Sequence, residues 1–458
     1  MNNNRKFTLN TNQNIIVEFT DERIIPASGL AVVGALLGKS DFAKKLNRMD
    51  VTKNRSQHQI KNGDIILTYI GMLCMGKPYF EAVHEMDDDK AFYQAALGIT
   101  RSIPSEETLR QRMDDIGDSL RETILNENVE LLISNKIHPT ALPNGFVPVD
   151  IDVTPMDNSK SQKEGVSRTY KGFDGYAPMM AYIGTEGYAI NFELREGKQH
   201  CQNGTVEFLQ ETIRLCKKLT DQPLLVRLDS GNDSIDNIAV LIDAGCYFII
   251  KRNLRRESKD GWFDMAKQYC QNITTPRDGK TVYVGSDWKD VSSKQFHKEF
   301  TLRTGYEITE RTVDKYGQIL LIPDVEVETW WTNLGAADEE IIQLYHAHGE
   351  CEQFHSEIKT DMDLERLPSG KFTTNALVLE LGLIAYNILR MIGQGTIGGR
   401  SPRQKRDVRR RRLHTIISNL IMMASHVTTH ARQLIMGLGK SNVWRHLFAD
   451  FCESSVAL

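Results

Sequence analysis

Near residue 145 the hydrophobic period of this 458-residue chain changes from that of helices to that of strands, and the change limits the fold more than any other feature. Residues 1 to about 140 read as mostly helical. Asp64 to Leu73 is a mainly apolar stretch, and Ser105 followed by Glu106 and Glu107 is a good helix start. From Phe146 to Thr154 apolar and polar residues alternate as in a strand. Pro178 to Ile183 and Tyr188 to Leu194 are two more apolar runs, separated by the hairpin chemistry of Gly184-Thr185-Glu186-Gly187. Then come a helix over Thr205–Leu219, a strand at Pro223–Asp229, a helix over Ser234–Asp243 and a strand at Cys246–Ile250. Three strands in a meander, followed by helix, strand, helix and strand, predict an α/β fold: a mixed sheet with helices on its faces.

Residues 253–335 break that rhythm and read as a β-rich insertion of short strands around Thr281–Val284, Phe300–Arg303 and Val325–Trp331. A strong helix from Asp338 to Lys359 resumes the core, and beyond Thr373 the chain reads as helical again, including Leu413–Leu438. The expected organisation is a helical N-terminal DNA-binding or dimerisation region (1–140), a core in two parts (141–252 and 336–372) split by the insertion (253–335), and a helical C-terminal region (373–458) with a basic linker at 400–412. Around the helix that starts at Ser105, Arg101, Arg110 and Arg112 fit either a helix-turn-helix DNA reader or a plain helical bundle.

A net charge of −4 argues mildly against nucleic acid until its placement is considered. Arg400, Arg403, Lys405, Arg406, Arg409, Arg410, Arg411 and Arg412 stand together, opposed by Asp407, and so dense a cluster is a footprint for phosphates. Seven cysteines without a Cys-x-x-Cys pair suggest reduced thiols in a cytoplasmic protein, and argue against a zinc ribbon or disulfide framework. Glu380 interrupts the longest apolar run, Ala376–Ile392, so no membrane partner is expected.

The residues that carry chemistry are acids. Asp150 and Asp152 lie two apart on one strand and share a face, and Asp229 ends another strand. In the late helix Tyr345, His348, Glu352, His355 and Lys359 follow steps of three, four, three and four, which puts all five on one face. Buried unpaired charge is costly, so that face must meet water, metal or phosphate. Carboxylates from two strands and a helix suit hard divalent ions, two of which about 4 Å apart can direct in-line displacement at phosphorus.

At these residues the sequence resembles the bacterial insertion-sequence transposases of the cut-and-paste DDE type. Their signature runs Tyr, two residues, Arg, three residues, Glu, six residues, Lys. Here it is Tyr345, His348, Glu352 and Lys359, with spacing kept and His348 standing where Arg is usual. Asp150-Ile151-Asp152-Val153-Thr154 is similar to the first-Asp strand, with Asp152 preferred and Asp150 a competitor; Arg227-Leu228-Asp229-Ser230-Gly231 is similar to the second, and Lys171 to Pro178 resembles one branch of the group. The resemblance implies a ribonuclease-H-like core and a catalytic triad of Asp152, Asp229 and Glu352. These would hold two Mg²⁺ (or Mn²⁺) ions for cleavage of transposon ends and strand transfer into target DNA. It further implies double-stranded DNA as partner and a homodimer that brings two ends together. Tyr345, His348 and Lys359 would contact phosphates, Trp330 or Trp331 of the insertion could hold a flipped base, and Lys251, Arg252, Arg255, Arg256 and the arginines at 403, 406 and 409–412 are DNA-binding candidates. Two other readings stand beside it: a catalytically silent DNA-binding descendant, and a zinc hydrolase using His348, Glu352 and His355.

Overall fold

A computed structural model describes residues 6–49, 51, 59–397 and 408–456. Arg403 and Arg406 lie outside these.

The strands that the apolar runs predict are β1 (Val147–Val153), β2 (Met179–Ile183), β3 (Tyr188–Glu193), β4 (Leu224–Leu228) and β5 (Tyr247–Lys251). Four more follow: β6 (Asn272–Arg277), β7 (Lys280–Ser293), β8 (Lys298–Val313) and β9 (Ile319–Thr332). All nine form one mixed sheet in the order β6-β7-β8-β9-β5-β4-β1-β2-β3. β1, β2 and β3 are antiparallel neighbours, whereas β4 runs parallel to both β1 and β5. Residues 280–332 thus do not make short strands. β7, β8 and β9 are 14 to 16 residues long and extend the same sheet, with β9 antiparallel to β5.

Helices α1 (Thr205–Leu219) and α2 (Ile235–Asp243) link the parallel strands; α1 buries Phe208, Leu209, Thr212, Ile213, Leu215 and Cys216 on one stripe. Helix α3 (Phe372–Gly395) is long and apolar enough to cross a membrane, but its apolar window is entirely buried within the protein. It packs against β3 and the N-terminal helices. Asn387 of α3 closes the open edge of β3: its amide donates to the Ala189 carbonyl at 2.8 Å and accepts from the Ala189 N–H at 2.8 Å.

Two stretches depart from the helical expectation for the ends. Lys6–Leu9 and Ile15–Glu18 form an exposed hairpin, and Ser425–His430 and Gln433–Leu438 another, which adds to Ile24–Ile25. The late helix is also not continuous. Asp338–His346 is α-helical, Ala347–Glu350 a 3-10 turn, Cys351–Ser356 α-helical and Glu357–Asp361 a π turn. Tightening and loosening the turn rotates side chains away from the even spacing the sequence suggests.

Candidate active site

Parallel pairing of β1 with β4 places the two aspartates side by side. Arg227 pairs with Asp150 and Leu228 with Ile151, so Asp229 follows one step beyond, level with Asp152. Burial, and then the charge of Asp229, push the Asp152 carboxyl up to about 7. Asp229 is oriented by Asn232, whose amide donates to Oδ1 at 2.7 Å from the 3-10 turn that follows β4. Gly231 allows this turn, since a Cβ there would sit 3.3 Å from both Asp229 oxygens and 3.1 Å from Cys201 Sγ. A half-buried pair of carboxylates whose charges oppose each other is the donor set a hard divalent cation suits, because the ion offsets the repulsion between them.

Asp150 has a different environment. It is buried and takes a two-point ion pair from Arg227, Nε to Oδ1 at 2.6 Å and Nη2 to Oδ2 at 2.8 Å. His348 Nδ1 lies 2.8 Å from the same Oδ1. Despite burial, which works the other way, the charges of Arg227 and His348 hold the Asp150 carboxyl below its usual range.

The late helix crosses this end of β1. Tyr345 is packed against Trp330 and His348, with ring centroids 5.7 and 5.9 Å apart. Burial, followed by the charges of Asp229 and Asp152, raises its phenol, which places Tyr345 in the field of the aspartate pair. Lys359 donates to the Pro155 carbonyl, and burial lowers its ammonium against the pull of Glu365 and Asp152. His355 is buried with Nδ1 3.9 Å from Asp152 Oδ2, and burial pushes its imidazole down to about 3, so it is neutral at pH 7. Glu352, by contrast, is exposed. It lines a cavity of about 1220 Å³ together with Asp150, Arg227, Arg409, Arg410 and Arg412.

The structure therefore sets Asp229 level with Asp152 and His355 beside Asp152, keeps Tyr345 and Lys359 within reach of their charge, and turns Glu352 toward the adjoining cavity. Among the described residues, the acid-and-histidine group whose ligand atoms all lie within 4.8 Å of one another is Glu307, Glu328 and His346. Neither Asp152–Asp229–Glu352 nor His348–Glu352–His355 is such a group.

Two neighbours were not singled out as site residues from sequence. Tyr170 donates to the Val153 carbonyl at 3.3 Å, and burial and then the charges of Asp152 and Asp229 raise its phenol. The charge of Lys171 acts on Asp152, His355 and Lys359. The signal for Lys171 was the Lys171–Pro178 stretch, legible as a resemblance but without an assigned role; Tyr170 immediately precedes it.

The basic and aromatic candidates divide by exposure. Trp330 and Trp331 are buried, and the Trp331 indole donates to Asp233 at 2.9 Å. Arg252 is buried between Glu257 at 2.6 Å and the Trp331 ring at 4.2 Å. Arg411 is buried with Nη2 on the Thr396 carbonyl at 2.9 Å. In this conformation these four have no surface to offer a duplex. Lys251 is paired with Glu328, and Arg412 with Asp361 at 2.9 Å. Arg410 lies over Phe354 at 4.3 Å, whereas Arg409 is exposed. Arg255 and Arg256 are exposed along a second cavity of about 770 Å³ that Lys289 and Lys294 also line. Near the N-terminal helix Arg110 bonds Glu107, and Arg112 is tied to the Ile60 carbonyl at 2.7 Å.

Comparison with known proteins agrees with this chemistry. A family model described as transposase DDE domain group 1 matches residues 7–455. A comparison with curated protein sequences returned no match. Among solved structures, a cryo-EM structure of a piggyBac transposase synaptic complex with hairpin DNA aligns at a TM-score of 0.36 and 11% identity, over 80% of this chain and 73% of that one, a likeness too low to speak for the fold.

Proposed function

The chain belongs to the DDE transposases, in the family described as transposase DDE domain group 1, and is a DNA transposase; from that premise we propose that it cleaves the ends of a mobile element and joins them to target DNA at a centre built on Asp152, Asp229 and Glu352. The observation that carries this is the parallel pairing of β1 with β4, which sets Asp229 level with Asp152, where burial and then the charge of Asp229 keep a proton on Asp152 up to about pH 7. The core is read as ribonuclease-H-like, supported by three antiparallel strands followed by two parallel ones in the order β3-β2-β1-β4-β5. On this reading 141–252 and 336–372 are the core, 253–335 its insertion, and 1–140 and 373–458 the flanking regions.

Two divalent ions, Mg²⁺ or Mn²⁺, held by Asp152, Asp229 and Glu352, would supply Lewis-acid activation of the attacking oxygen and stabilisation of the leaving one. The protein's own residues do the rest. Asp152 gives up its proton on loading. Tyr345 and Lys359, beside the aspartates, hold the phosphate that is cut. Lys171 adds positive charge above them. Glu352 is brought to the aspartates from the cavity wall when DNA fills the cavity, and Arg409, Arg410 and Arg412 grip the backbone there. Arg255 and Arg256 form a second phosphate-binding edge, and a homodimer pairs the two ends.

End-labelled duplexes taken from the DNA bordering the gene test this reading. Wild-type protein should cut them in Mg²⁺ and not in EDTA, and Glu352→Gln should bind them as tightly without cutting. Binding without cleavage by wild-type protein in either Mg²⁺ or Mn²⁺ would favour a silent DNA-binding descendant instead.

A further inference from the structure

Each proposed catalytic carboxylate is preceded, one structural repeat earlier, by a member of a second and buried triad. Asp150 lies two residues before Asp152 on β1, and Arg227 two before Asp229 at the end of β4. His348 lies four before Glu352 in the late helix. Two residues along a strand return a side chain to the same face. On the two strands the buried residues are thus the outer pair displaced by one repeat, while in the late helix the 3-10 turn leaves His348 buried and Glu352 exposed.

Its members are bonded to one another. Arg227 meets Asp150 with two bonds of 2.6 and 2.8 Å, and His348 Nδ1 is 2.8 Å from Asp150 Oδ1. A carboxylate can only accept, so Nδ1 of His348 carries the proton and donates. Arg227 Nη1 also donates to the Leu344 carbonyl at 2.7 Å, in the last turn before the 3-10 segment that holds His348. Side chains of β1 and β4 thus hold both the backbone and a side chain of the helix. Planar two-point pairing fixes direction as well as distance, which a single point charge does not.

We propose that Asp150, Arg227 and His348 are positioning residues for DNA cleavage. Their bonds set the stagger of β1 against β4 and anchor the pivot of the helix from which Glu352 projects, without any of the three touching metal or phosphate. His348 can occupy the Arg position of the signature because its task is to bond Asp150, for which one N–H suffices. The inference rests on the reading of Asp152, Asp229 and Glu352 as catalytic.

The test uses full-length His348→Ala and His348→Gln with end-labelled duplexes from the DNA bordering the gene. Displacement of a catalytic group by 1 Å can cost about 100-fold in rate, and His348→Ala should lose cleavage at saturating DNA on that order. Its DNA affinity and the salt dependence of binding should not change. His348→Gln, whose amide can donate to Asp150, should recover most of the rate. Mn²⁺ binding without DNA, followed by electron paramagnetic resonance, should weaken in Ala and recover in Gln. Arg227→Lys keeps the charge but loses the two-point geometry, and should show the same loss of rate with unchanged affinity. Wild-type rates in His348→Ala overturn the inference, as does equal loss in Ala and Gln. A fall in affinity with a salt slope reduced by about one makes His348 a phosphate contact and also overturns it. If wild-type protein cuts nothing in Mg²⁺ or Mn²⁺, the functional reading itself fails and takes this inference with it.

Discussion

Arg227 and Asp150 form a buried two-point ion pair across neighbouring parallel strands, at 2.6 and 2.8 Å, each standing two residues before an aspartate of the proposed centre. Paired acids two residues apart on one strand thus have opposite tasks. Asp150 is ionised and fully engaged, while Asp152 has no such cation and is pushed toward neutrality.

The first prediction contrasts the two. Asp150→Ala leaves a buried guanidinium without its partner and should cost about 3–5 kcal/mol in unfolding free energy, the range for breaking one side of a buried pair. Asp152→Asn removes a repulsion instead, and should leave metal-free stability at pH 8 unchanged or raised. Chemical denaturation of the metal-free proteins distinguishes them; equal destabilisation would contradict the contrast.

The second concerns pH. Asp152 binds its proton more tightly in the folded state, near 7, than at the ordinary carboxyl value of 3.8. Below 3.8 both states are protonated and the residue contributes nothing. Between 3.8 and about 7 the unfolded chain ionises first, so the folded state loses relative stability as pH rises, and the full cost is present above 7. The stability difference between wild type and Asp152→Asn should therefore open as pH rises through this window. Mn²⁺ binding near pH 6.5 should release protons, measurable by calorimetry in buffers of different ionisation enthalpy; no release would place the ion elsewhere.

A third prediction follows from packing. Gly187 has φ +71°, and a Cβ on it would stand 2.2 Å from the Phe354 ring, two residues past Glu352. Gly187→Ala forces a left-handed backbone on a residue with a side chain and displaces the helix that carries Glu352. It should destabilise the fold by about 1–3 kcal/mol and slow cleavage more than it weakens DNA binding. A change in affinity alone would separate Phe354 from the centre.

Fourth, Arg409 is exposed on the cavity that Glu352 lines. Arg409→Ala should weaken binding of all duplexes alike and reduce the slope of log affinity against log salt by about one. An unchanged slope would show that DNA does not run through this cavity.

Much of the sheet was legible from sequence because its strands are buried on both sides: Leu224–Leu228 and Tyr247–Lys251 read as compact apolar runs, and Val147–Val153 alternates. The length of strands β7 to β9 was not, since one face of β8 and β9 carries Glu307, Glu326 and Glu328 and only patches of apolar residues show. The hairpin at 425–438 was read as helix because its turn lacks Asn-Gly. Ala431 and Arg432 take the positive φ of 48° and 65° instead, which no propensity suggests. Spacing grouped Tyr345, His348, Glu352, His355 and Lys359 on one face, but it gave no sign of the 3-10 turn at Ala347–Glu350, and the structure leaves Glu352 exposed on the cavity while His348 and His355 are buried. The Asp150–Arg227 pair had a signal that went unused: a lone arginine inside the apolar run Leu224–Leu228 requires a buried acid.

The central claim is most directly tested by anomalous diffraction from crystals of the protein with end DNA and Mn²⁺. The account predicts Mn²⁺ between Asp152 and Asp229, with Glu352 turned in from the cavity to complete the set and Asp150 still bound to Arg227 and His348. Mn²⁺ at Glu307, Glu328 and His346 alone, or Glu352 still facing the cavity with DNA bound, would contradict it.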